Sequence, residues 1–213
     1  MSKDLNLEKA LIFRIVHREN LGWILDHGLT CLSSGNLDPD FISIGNPEII
    51  SRRHERQVPI PPGGTLADYV PFYFTPWSPM LYNIKTGWGG VTQRTNDEIL
   101  VLVSSIRHLA WQGRAFVFTD RHALLGNARF SSQVADLSWI DWGILQARDF
   151  KRSFDDLEKV ERYQAEALVH QAVPVSDLLG IGCHSPEVKY QVDAALAARN
   201  LALKVIAKSS WYF

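Results

Sequence analysis

The segment Glu161 to His170, ERYQAEALVH, sets a carboxylate among small apolar residues. Tyr163, Ala165, Ala167 and Val169 alternate with Gln164, Glu166, Leu168 and His170, the period of a half-buried strand. A carboxylate flanked by alanines in such a strand is costly to bury unless it is paired or hydrogen-bonded. Two readings follow: an edge strand whose polar face meets water, or a catalytic carboxylate held rigidly in a cleft.

Other chemistry-bearing residues are scattered along the chain. His17, Arg18 and Asn20 stand at the end of an apolar run, Leu11 to Val16, and ahead of a stripe formed by Leu21, Ile24 and Leu25. A strand-to-helix junction of this kind exposes side chains and backbone N–H groups to a ligand. Arg52, Arg53 and Arg56 crowd one short helix in PEIISRRHERQV and repel one another unless anions neutralise them or water solvates them. Tyr69, Phe72, Tyr73, Phe74, Trp77 and Tyr82 are more aromatics than one strand face can bury, which frees some to stack on a planar ligand. Arg107, Arg114, Arg121 and Arg129 gather against Asp120, and Trp139, Trp142, Arg148 and Phe150 continue a mixture suited to gripping a single nucleic-acid strand by its phosphates and bases.

The elements that must position these groups can be read from pattern. Strands are expected at Leu11 to Val16, Phe41 to Ile44, Val70 to Thr75, Glu98 to Ser104, in AFVFTD, around Glu166, in LLGIGC and in KVIA. Helices are expected from Leu21 to a C-terminal glycine at Gly28, over 47–58, after Pro79, and from Pro186 to Arg199 with Ser185 as cap. Lys85 to Asn96 is glycine-rich and basic with Trp88 at its tip, but without a GK[ST] ending it is no P-loop. The whole is a mixed α/β chain of 213 residues, long enough for one domain with a real core, and 46% of it is hydrophobic.

Composition narrows the function classes. A formal charge of −1 gives no global basic footprint, so any nucleic-acid contact must use local patches. No apolar run approaches the roughly 20 residues that span a bilayer, and MSKDLNLEKA lacks a signal-peptide core, so a cytoplasmic location without membrane attachment is expected. Cys31 and Cys183 lack metal-ligand spacing and the seven histidines are scattered, so a metal site is not expected.

A strand-end His-x-x-Asn, an arginine cluster, an aromatic strand leading to Ser-Pro-Met and a late strand glutamate have a common use. Cleavage of the bond between nicotinamide and ribose in NAD+ develops positive charge on the sugar, which a carboxylate stabilises. Nicotinamide asks for an aromatic face, and the pyrophosphate for positive charge or N–H groups.

On the stretches FRIVHRENLGWILDHGL, ISIGNPEIISRR, LADYVPFYFTPWSPMLYNI, FTDRHA and YQAEALV, the chain resembles the DarT family of DNA ADP-ribosyltransferase toxins over nearly its whole length. The resemblance implies an α+β, poly-ADP-ribose-polymerase-like fold with a central split, largely antiparallel sheet. It implies NAD+ as co-substrate, transfer of ADP-ribose to thymine in single-stranded DNA with a consequent block to replication, and a macrodomain antitoxin as partner. Carried over by motif, Glu166 is the catalytic glutamate and Arg53 works beside it, with Arg52 and Arg56 within reach of the same alignment. His17, Asn20, Leu21, Arg53, Tyr73 and Met80 are implied at NAD+, and His122, Arg121, Tyr73, Met80 and Arg148 at the DNA, with a docking and acceptor-selecting insertion at about 123–165 of a single, monomeric domain. Guanine, RNA or a protein side chain as acceptor, plain NAD+ hydrolysis, and a nonenzymatic nucleic-acid-binding module remain as rivals.

Overall fold

The computed structural model describes residues 2–213. Strand β1 (Leu11–His17) leads through a single turn at Arg18–Asn20 into helix α1 (Leu21–His27), which stops at Gly28 with φ 78°. A Cβ on Gly28 would lie 2.7 Å from the Val173 carbonyl oxygen, so both the left-handed backbone and the close approach require glycine. Next come β2 (Leu29–Thr30), α2 (Pro47–Arg53), β3 (Tyr69–Tyr73), α3 (Pro79–Thr86), β4 (Ile99–Ser105), α4 (Ile106–Trp111), β5 (Phe116–Thr119) and β6 (Phe130–Ser131). The chain finishes with α5 (Trp142–Ala147), α6 (Lys159–Tyr163), β7 (Glu166–His170), β8 (Ala172–Val173), β9 (Gly180–Cys183), α7 (Pro186–Ala197) and β10 (Val205–Ala207).

Eight strands form one sheet in the order β10-β9-β4-β1-β3-β7-β5-β6, antiparallel throughout except for β10 beside β9. β1 is zipped to β4 over its whole length, Leu11 opposite Ser105 through His17 opposite Ile99, and β3 to β7 from Tyr69 opposite His170 to Tyr73 opposite Glu166. Between β1 and β3, in contrast, the register holds only at Phe13 opposite Tyr73, so the sheet parts into two halves there. Pro71 helps to explain the split. Its carbonyl faces β1, where it accepts from Arg14 Nη1 at 2.8 Å, and in an extended strand the N–H that proline lacks would face the same way.

The split places polar residues against a firm base. Ala167 and Val169 of β7 pack into the main core with Phe72, Phe74, Phe118, Tyr163 and Ala165, and Leu168 packs on the opposite face with Tyr69, Val117, Leu66 and Ala123. The expected alternation therefore holds, with Glu166 on the face of Leu168. The strand is shorter at its start, because the Gln164 and Ala165 N–H groups return to the Glu161 and Arg162 carbonyls and close the last turn of α6.

Two other expectations change. Phe41 to Ile44 forms no strand, and Ile42 spends both backbone groups on the Asn20 carboxamide. The helix expected over 47–58 ends at Arg53, after which the Val58 N–H turns to the Gly64 carbonyl. α7 runs as its sequence implies: the Ser185 hydroxyl caps it by accepting from Val188 N–H, Pro186 opens the first turn, and Val188, Val192 and Leu196 are buried at helical spacing. No helix among the described residues is long and apolar enough to cross a membrane.

Candidate active site

Glu166 is the first residue of β7, and its own N–H donates to Thr119 Oγ1 at 3.2 Å, which ties the strand start to the end of β5. The residue is 4% exposed. Oε2 accepts from Arg53 Nη1 at 2.9 Å and Oε1 from the Ala123 backbone N–H at 3.0 Å. Burial pushes the Glu166 carboxyl pKa up, but the Arg53 charge, the His122 ring when charged and the Ala123 N–H outweigh it, so the group sits below the usual carboxylate range. The carboxylate is therefore ionised and immobile at neutral pH.

Arg53 reaches it because α2 is aimed by its start. The Asn46 side chain accepts from Glu48 and Ile49 N–H at 2.9 and 3.2 Å, and Pro47 occupies the first helical turn. The other two arginines of the cluster separate cleanly: Arg52 is exposed, while Arg56 donates to the Ala123 and Leu125 carbonyls at 3.3 and 2.9 Å. Arg56 thus holds the turn whose N–H binds Glu166, and among the three only Arg53 bonds the carboxylate.

Around this pair stand Tyr73, Arg14 and His122. Tyr73 is the cross-strand partner of Glu166, and its phenol pKa is raised by burial first and by the Glu166 charge second, so it stays neutral. Arg14, on the β1 side of the split, has its guanidinium pushed down to about 10 by burial and then by the Arg53 charge, and remains protonated at neutral pH. His122 Nδ1 accepts from Leu124 N–H at 3.2 Å, so the neutral ring carries its proton on Nε2. The same Nδ1 lies 3.4 Å from Glu166 Oε1, an attractive contact only when the ring is charged.

The remaining residues implied by the resemblance fall into two groups. On the other half of the sheet, His17 closes β1, its Nδ1 accepting from Glu19 N–H at 3.3 Å and its Nε2 lying 3.6 Å from Glu98 Oε1. Asn20 is 1% exposed and its carboxamide bonds both backbone groups of Ile42 at 2.9 Å, so it pins the 36–46 segment. Leu21 is buried at the head of α1. Met80 sits half-buried in the first turn of α3, where the Ser78 hydroxyl caps the helix.

In the basic patch expected from Arg107 to Arg129, Arg114, Arg121 and Arg129 are paired with carboxylates of the chain. Arg121 meets Glu158 at 3.2 Å, Glu161 at 3.5 Å and Asp120 at 3.5 Å, and Arg129 binds Asp120 at 2.9 Å while stacking on Trp139. Arg148 takes a left-handed backbone, φ 56°, and lays its guanidinium 3.4 Å over the Trp77 ring. Lys151, Arg152 and Phe154 are exposed between α5 and α6.

Co-substrate fit can be tested on polar atoms. His17 Nε2, Arg14 Nε and Arg53 Nη2 are buried donors without a hydrogen-bond partner among the described residues. Such donors cost about 1–3 kcal/mol each until an acceptor arrives, and the oxygens of a sugar and pyrophosphate are acceptors of the right kind. Among the described residues no group of three or more His, Cys, Asp or Glu side chains is arranged to hold a metal.

Comparison with known proteins agrees with this geometry. The family model described as "ssDNA thymidine ADP-ribosyltransferase, DarT" matches residues 13–213. A DNA ADP-ribosyl transferase from Escherichia coli O127:H6 is 53% identical over 212 residues, covering 100% of this chain and 97% of that protein. Thermus sp. 2.9 DarT in complex with ADP-ribosylated single-stranded DNA superposes with a TM-score of 0.89 at 38% identity over 97% of each chain. The same Thermus protein in complex with NAD+ gives 0.85 at 37% identity, over 97% of this chain and 98% of that one. With the split antiparallel sheet and the arginine-held glutamate in place, the chain belongs to the DarT family of DNA ADP-ribosyltransferases.

Proposed function

We propose that this chain uses NAD+ to attach ADP-ribose to thymine in single-stranded DNA, with Glu166 as the catalytic carboxylate and Arg53 as its orienting partner. The observation that carries the reading is a buried, ionised glutamate fixed on both oxygens beside the split of the sheet. A fixed carboxylate stabilises positive charge as it develops on the sugar carbon without reorganising at the moment of reaction. In the family the relevant relatives are named for this chemistry, and the Thermus protein is seen with NAD+ and with ADP-ribosylated single-stranded DNA.

In this reading Glu166 holds a ribose hydroxyl, then helps to take the ring proton from the incoming base, since an imide nitrogen is a poor nucleophile until deprotonated. Arg53 keeps the carboxylate ionised, and its second, unpartnered Nη2 draws negative charge onto a base carbonyl. His122 offers Nε2–H to the base. Tyr73 stays neutral and closes the wall behind Glu166, which limits entry of water that would otherwise hydrolyse NAD+. The 123–165 segment docks the strand, with Lys151, Arg152 and Phe154 as its free cations and aromatic and Arg148 stacked at its base. A macrodomain antitoxin as partner and a monomeric, cytoplasmic enzyme complete the reading.

The test is mass spectrometry of short single-stranded oligonucleotides with and without thymine after incubation with the protein and NAD+. A gain of one ADP-ribose confined to thymine-containing strands is the expected result. A gain on thymine-free strands, or on none, overturns the assignment of the acceptor.

A further inference from the structure

Glu98 is the most heavily engaged carboxylate near the β1 end of the cleft, and the reaction as described does not use it. It stands just before β4, across from His17, because His17 pairs with Ile99 in the β1–β4 ladder. Oε2 accepts from both the Thr95 N–H at 2.7 Å and the Thr95 hydroxyl at 2.8 Å, and Oε1 accepts from Arg94 Nη1 at 3.2 Å. These bonds, the Thr95 N–H foremost, hold its carboxyl down to about 2, so it carries a full charge in a fixed place.

His17 meets that charge with one edge already committed. Nδ1 must offer a lone pair to Glu19 N–H, so the neutral ring carries its proton on Nε2. Nε2 is buried, has no hydrogen-bond partner among the described residues, and lies 3.6 Å from Glu98 Oε1, beyond bonding distance but near enough for a full charge to act on it. Arg94 Nε is a second buried donor without a partner on the same carboxylate. A ring pinned at one nitrogen and drawn at the other presents its N–H in a single direction.

We infer that Glu98 is a positioning residue, which holds the ring plane of His17, whose tautomer the Glu19 N–H has set, so that Nε2–H meets an oxygen acceptor of NAD+. This rests on the functional reading above and on the placement of His17 at NAD+ that the family resemblance implies. Its effect falls on co-substrate binding, because Glu98 touches neither Glu166 nor Arg53 in the bonds that fix the catalytic pair.

The experiment compares the wild-type chain, Glu98→Gln, His17→Ala and the double variant, reading nicotinamide release over a range of NAD+ at saturating thymine oligonucleotide. Glutamine keeps an oxygen for the Thr95 N–H while the charge is lost and the Arg94 contact weakened, so the thermal midpoint, expected to fall by a few degrees, is read alongside to separate loss of fold from a change in KM. Glu98→Gln is expected to raise KM for NAD+ by about fivefold to tenfold with kcat within about twofold, the size expected for weakening one charge-assisted contact. The double variant should match His17→Ala alone, since a residue that acts through another adds nothing once that other is gone. 15N shifts of the His17 ring give an independent reading: Nε2 carries the proton in both proteins, because the Glu19 N–H sets the tautomer, but its resonance moves in Glu98→Gln as the charge 3.6 Å away is lost.

Unchanged KM in Glu98→Gln, or effects that multiply fully in the double variant, overturn the positioning role. A wild-type chain that turns over NAD+ while His17→Ala leaves KM unchanged also overturns it and leaves the functional reading intact. A wild-type chain that releases no nicotinamide overturns both.

Discussion

Replacing Arg53 with methionine isolates what the arginine does for Glu166. The volume is nearly kept, but Glu166, which is 4% exposed, loses its hydrogen-bonded charged partner and keeps on its other oxygen the Ala123 N–H at 3.0 Å and the His122 ring at 3.4 Å. Removing one member of a buried ion pair typically costs about 3–5 kcal/mol, because the remaining charge is stranded. For a chain of this size each kcal/mol moves the thermal midpoint by about 2–4 °C, so the variant should melt roughly 6–20 °C below the wild type at pH 7.

The pH dependence gives the sharper test. In the wild type the folded Glu166 pKa lies below its ordinary 4.5, so its contribution is present above that value and is lost as pH falls through the folded pKa. In Arg53→Met the largest lowering cause is gone, and burial, the largest cause of all, outweighs the Ala123 N–H and the His122 ring and carries the folded pKa above its ordinary value. The sign then reverses: stability from this group is present below 4.5 and lost as pH climbs through the raised value. Thermal unfolding of both proteins from pH 4.5 to 8 should therefore show a deficit that grows with pH. A deficit of constant size, or a variant as stable as the wild type at pH 7, would refute the idea that Arg53 holds this carboxylate ionised.

Other consequences are smaller. Arg56→Ala removes two bonds to the Ala123 and Leu125 carbonyls and should slow transfer about tenfold by loosening the Ala123 N–H, with KM for NAD+ little changed; steady-state rates check it. Because Arg121 and Arg129 are paired internally, affinity for single-stranded DNA should fall only gently with salt, with a log–log slope of about −1.5 to −2 for two or three phosphate contacts, measurable by fluorescence anisotropy.

Much of this site was legible in the sequence, for identifiable reasons. The alternation of ALVH placed Glu166 opposite the core face of β7, and the Gly28 cap and the Pro79 and Pro186 starts placed helices correctly because each rests on local backbone chemistry. What could not be read depends on contacts far apart in the chain. Which of Arg52, Arg53 and Arg56 bonds Glu166 depends on a helix that ends at Arg53 and on a partner 113 residues away. The Ala123 N–H is a backbone group with no side-chain signature, and Thr119, quoted within FTDRHA, gave no hint that its hydroxyl receives the Glu166 N–H. The run from Arg107 to Arg129 read as a patch of free positive charge, yet Glu158 and Glu161 fold back onto Arg121 from α6 and its preceding turn. Phe41 to Ile44 had strand composition, but Asn20 claimed the backbone of Ile42 first.

The most direct measurement follows nicotinamide release and oligonucleotide mass together, for the wild-type chain and Glu166→Gln, on a thymine-containing single strand. Tightly coupled transfer should appear in the wild type, one ADP-ribose gained per nicotinamide released. In Glu166→Gln both signals should fall by about 10²–10³-fold, the scale of losing one preorganised electrostatic group, while the strand still binds. Nicotinamide accumulating without mass gain, or a variant that transfers at the wild-type rate, would contradict the account of Glu166 as the carboxylate that joins ADP-ribose to the base.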